Sequence, residues 1–114
     1  MGIELQGWKY KDYLAFLLLY AAKADLSINE KERKYMESRV GRTEYEKVLA
    51  LFEELNDVER INVIVEFKQR FCKGQHDLEE VISDFRKMLE IDHPMDAEEE
   101  AIFLGLKRLL KSVN

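Results

Sequence analysis

Five times along this chain the same spacing recurs: an Asn, Asp or Thr followed three residues later by Glu. The five are Asn29 and Glu32, Thr43 and Glu46, Asn56 and Glu59, Asp77 and Glu80, and Asp96 and Glu99. In such a capping box the first side chain accepts from the backbone amide three residues on, and the glutamate reaches back to the cap's own amide. Each cap stabilises its helix by about 1 kcal/mol. Five of them, each heading an apolar stretch of three- and four-residue spacing, divide the chain into helices.

The stretches carry the pattern. Tyr45, Val48, Leu49, Phe52 and Leu55 recur at helical spacing, as do Leu78, Val81, Ile82, Phe85, Met88 and Leu89. Val58, Ile61, Ile64, Val65, Phe67 and Phe71 form a wider stripe, as in a helix packed on more than one side. The run from Leu14 to Ala22 is apolar throughout. With nine residues it has about half the length that a membrane span needs, and Lys9, Lys11 and Asp12 close it upstream. The spacing predicts six helices, at about 10–24, 30–40, 44–55, 57–72, 78–90 and 97–112. Gly41 and Gly74 stand where helices should end, and Pro94 stands in a turn. Nothing alternates as a strand does. The expectation is one all-α domain over residues 1–114.

Composition narrows the function classes. The net charge of −5 runs against the cationic surface that nucleic-acid binding requires, so no nucleic-acid partner is expected. Cys72 is the only cysteine, which excludes an intramolecular disulfide and fits a reducing, cytoplasmic setting. The amino terminus has no basic segment ahead of its apolar run, so no secretory signal is expected. Catalytic signatures are missing too. No serine stands in a Gly-x-Ser-x-Gly context, no glycine-rich phosphate loop occurs, and His76 and His93 form no ligand pair at metal spacing. Trp8, Tyr10, Tyr13, Phe16 and Tyr20 form an aromatic-dense segment that suits either the core or the docking of a partner.

Shifting the sequence by 67 residues superposes its ends. Leu14, Leu18 and Ala21 fall on Val81, Phe85 and Met88; Asp25 falls on Asp92, Asn29 on Asp96 and Glu32 on Glu99. Both copies read as two apolar helices joined by Asp-x-x-(Ile/Met)-(Asn/Asp)-x-x-Glu. The simplest arrangement is a pseudo-symmetric pair of helical hairpins with two further helices between them.

The stretch Tyr20-Ala-Ala-Lys-Ala-Asp25-Leu-Ser-Ile28-Asn29-Glu-Lys-Glu32 resembles the signature turn of the TerB-like (tellurite-resistance TerB) family, and Ile91-Asp92-His-Pro-Met95-Asp96-Ala-Glu-Glu99 is similar to its second copy. The resemblance implies a helical binding or adaptor domain without catalysis, linked to tellurite and chemical-stress responses. It also implies work with a protein partner, in membrane-associated complexes. It places a divalent cation of the calcium or magnesium type on acidic residues. By position these are Asp25, Asn29 and Glu32 in the first turn and Asp92, Asp96 and Glu99 in the second. Leu26 and His93 stand where the family has glycine.

Read from chemistry alone, Asp25, Ser27 and Asn29 imitate the first alternate ligands of an EF-hand. Glu30 and Met36, however, occupy the positions of its glycine and its bidentate glutamate, so a single turn cannot be an EF-hand. A cation site would need both turns side by side. The competing expectation is a plain helical protein–protein interaction domain whose acidic turns are helix caps only.

Overall fold

The computed structural model describes residues 7–23, 29–71, 75–91 and 94–111. Among them are six helices and no strand: α1 (Tyr10–Lys23), α2 (Glu30–Val40), α3 (Arg42–Glu54), α4 (Asp57–Phe71), α5 (Gln75–Leu89) and α6 (Ala97–Lys111). The all-α expectation holds, with helix boundaries displaced by up to three residues.

The uninterrupted apolar run decides the architecture. A helix that is apolar all round has no face to give to water, so it must be enclosed. Every residue of α1 from Asp12 to Leu19 is buried, and Ala21 and Ala22 with them. The other five helices all pack against α1. The surrounding helices are amphipathic, as in α5, which buries Val81, Phe85 and Met88 while exposing Glu79, Glu80, Arg86 and Lys87. The 67-residue offset therefore pairs helices of unequal burial: α1 is a central rod, α5 a wall. The radius of gyration, 13.2 Å, is that of one domain of this length.

The aromatic segment belongs to the core. Trp8, Tyr13 and Phe16 are buried, and Tyr10 and Tyr20 are half-buried. Trp8 lies 5.8 Å from Phe16 and 6.2 Å from Phe67, ring centre to ring centre. Phe16 meets Phe52 edge-on at 5.2 Å, and Tyr13 stacks on Phe71 at 5.2 Å. The Tyr13 hydroxyl donates to the Ile64 carbonyl at 2.8 Å, which satisfies the polar end of a fully buried ring. These contacts join α1 to α3 and α4 and hold Trp8, Tyr13 and Phe16 in the core.

One residue joins α2 to α3. Gly41 has φ 96° and ψ 146°; its amide donates to the Glu37 carbonyl at 2.8 Å, and its carbonyl accepts from the Tyr45 amide at 2.9 Å. A Cβ here would meet only Glu44 Oε1 at 3.5 Å, ordinary contact. The backbone angle, and not crowding, is what asks for glycine.

Among the described residues, three of the expected capping boxes form with both bonds. Asn29 with Glu32, Asn56 with Glu59, and Asp96 with Glu99 each pair reciprocally at 2.8–3.1 Å. The Thr43 box does not. α3 begins one residue before it, at Arg42, because Gly41 ends α2 and opens α3 in a single step without a side-chain cap. α5 begins at Gln75, ahead of Asp77, whose side chain lies outside the described residues. This sorting gives a measurable contrast. Asn56→Ala is expected to lower stability by about 1 kcal/mol and Thr43→Ala by less than about 0.5 kcal/mol, compared by urea unfolding. Equal losses would mean that Thr43 caps after all.

Candidate functional site: the two acidic turns

The two resembling turns lead into α2 and α6. In the first, Asn29 Oδ1 accepts from the Glu32 amide at 2.8 Å and Glu32 Oε1 accepts from the Asn29 amide at 3.1 Å. In the second, Asp96 Oδ1 accepts from the Glu99 amide at 2.8 Å and Glu99 Oε1 accepts from the Asp96 amide at 3.1 Å. The two boxes thus have the same geometry. They also share a feature that the box at Asn56 lacks: Glu32 and Glu99 are buried, at 4% and 7% exposure, whereas Glu59 is half-exposed. A carboxylate is placed out of water only where donors meet it, and here backbone amides at a helix amino terminus do so.

Of the six expected ligands, Asn29, Glu32, Asp96 and Glu99 are therefore helix-cap residues with an oxygen each committed to an amide. Asp25 and Asp92 lie outside the described residues, as do Leu26, Cys72, Gly74 and His93. Among the described residues no three acidic, histidine or cysteine side chains converge as a metal site. α2 packs on α1, α3 and α5, and α6 on α1, α4 and α5, so the boxed helices share two supports.

Two buried acids were not singled out from the sequence. Asp84, on the inner face of α5 at 3% exposure, accepts from the Tyr35 hydroxyl at 2.9 Å and from Arg39 Nη2 at 3.0 Å, with Arg39 Nε at 2.9 Å from its other oxygen. This clasp fastens α2, the most polar of the helices, to α5. The Arg39 side chain is half-exposed, yet its inner edge is bonded. Tyr35 ionises well above the usual tyrosine range, first because of burial and then because it donates to the Asp84 carboxylate.

The second is Asp12, at 2% exposure. Its Oδ2 accepts from the Lys9 amide at 2.9 Å, and its Oδ1 lies 3.1 Å from Lys47 Nζ as an ion pair without hydrogen-bond alignment. It borders a recess of about 340 Å³ shared with Lys9, Lys11, Glu44 and Lys47. The charges there are mixed, three lysines against two acids.

The site thus defines a small helical bundle with paired, capped acidic turns. No family model, curated protein or solved structure matches the chain. No helix among the described residues is long and apolar enough to cross a membrane.

Proposed function

We propose that the chain is a non-catalytic binding or adaptor module of TerB-like type, whose two acidic turns hold a hard divalent cation and whose work is a stress-linked interaction with a protein partner in the cytoplasm, near a membrane-associated complex. The observation that supports this is the duplication of one unusual detail. The same reciprocal box, with its glutamate withdrawn from water, opens both α2 and α6 at a 67-residue offset. Oxygen donors of this kind suit calcium or magnesium. In this reading Asp25 and Asp92 supply the charge, and the boxes with Asn29, Glu32, Asp96 and Glu99 fix where the turns end and the helices begin.

A thermal-unfolding series in chelator, calcium, magnesium and manganese tests it. Ligand at 100 times its dissociation constant adds about 2.7 kcal/mol to the native state, a midpoint rise on the order of 10 °C for this size. Asp25→Ala or Asp92→Ala should abolish the rise. The second reading, a protein–protein interaction domain without metal, is favoured by one observation: all four described residues of the set already spend an oxygen on a backbone amide. No midpoint change with any ion would establish that reading over the first.

A further inference from the structure

We infer that the outer face of α6 is a self-association surface on which a second copy of this chain docks its own α6, antiparallel. Phe103, Leu106 and Leu110 are buried against the bundle, which leaves Ala97, Ala101, Leu104, Arg108 and Lys111 exposed outward. Their spacing of four, three, four and three is that of a coiled-coil seam, and Leu104 is 42% exposed at its centre.

Three observations point to a copy of the same helix as the occupant. The first is charge. The amino-terminal half of the helix carries Glu98 and Glu100, and the other half carries Lys107, Arg108 and Lys111. None of these five side chains has a partner among the described residues. An antiparallel copy sets the acidic half of each helix against the basic half of the other.

The second is shape. Leu104, Lys107, Arg108 and Lys111 border a shallow recess of about 370 Å³. In antiparallel register Leu104 of each copy meets the small Ala101 of the other, and Glu100 stands opposite Lys107, twice by symmetry. The contact is closed and self-complementary, as a twofold interface must be.

The third is Gly105, on the flank of the seam. Glycine inside a helix is destabilising relative to alanine, and a Cβ here would meet nothing within 4 Å. Nothing among the described residues asks for glycine at this position, whereas a closely approaching helix does.

One helix face is a small interface, so the pair should be weak and concentration-dependent. Sedimentation velocity on the full chain, from roughly micromolar to millimolar protein, should show a dimer that recedes as salt is raised. Leu104→Glu should leave a monomer with unchanged helical circular dichroism. Glu100→Lys and Lys107→Glu should each weaken the dimer about tenfold. An equimolar mixture of those two variants should recover it, because opposite charges then face each other at both crossings. A wild-type chain that stays monomeric throughout overturns the inference. So does a dimer indifferent to the three variants, or a chain that stays monomeric yet binds phosphatidylserine vesicles through Lys107.

Discussion

Phe16→Ala is expected to remove about 3–5 kcal/mol of folding stability, the range for truncating a large buried ring. Phe16 is fully buried and touches Trp8 on one side and Phe52 on the other, so its loss uncouples the pre-helical segment from α3. The surrounding helices cannot close the gap by sliding inward, because α1 also holds them apart through Leu14, Leu17 and Leu18 on its other sides. Domains of this size have a total stability of about 5–15 kcal/mol. The variant should therefore unfold at a urea concentration lower by roughly 2–3 M. Val58→Ala, at an exposed position of α4, should stay within about 0.5 kcal/mol of the parent. A Phe16 variant as stable as that control would disprove the enclosure of α1.

Asp84→Ala is the second large effect, expected at about 2–3 kcal/mol. Removing one member of a buried pair costs about 3–5 kcal/mol when its partner is left stranded. Here the Arg39 side chain is 48% exposed and can turn back to water, which lowers the loss. Combining Asp84→Ala with Tyr35→Phe or Arg39→Ala should cost clearly less than the sum of the single losses, since all three act in one clasp. The clasp also fails in alkali. Tyr35 is held protonated in the folded protein beyond the pH at which a free tyrosine ionises, so the folded chain binds more protons above about pH 10. Its contribution is complete below that pH and is lost as pH rises toward the folded value. Denaturant titrations at pH 8 and above pH 10 should show stability falling, with a shallower fall in Tyr35→Phe. A slope unchanged by that substitution would place the alkaline loss elsewhere, at Tyr20 or Tyr45, both of which burial also raises.

The helices were legible because their signals are local. Asn29, Asn56 and Asp96 each cap a helix from three residues away, and apolar residues at three- and four-residue spacing mark a helix without any knowledge of its neighbours. Thr43 misleads because a capping box is only permitted by its spacing; Gly41 settles where α3 starts through a backbone angle that the box pattern does not encode. Asp84 left a faint trace, an acid three residues after Val81 and four before Met88 on the apolar side of α5. Its partners stand 45 and 49 residues away on α2, and no period within one helix reveals such a pairing. The chemistry of the acidic turns was readable only as residue types, since Asn, Asp and Glu at this spacing serve a helix terminus and a cation alike.

The enclosure of α1 also bears on how the chain is made. Translation delivers this greasy rod ahead of its walls: α5, which forms one of them, ends 66 residues later. At about 5–20 residues per second, several seconds pass before the last two sides of the rod can be shielded. Throughout that interval Leu14 to Ala22 has nothing native to rest against on those sides, and the nascent chain presents the kind of surface that chaperones grip.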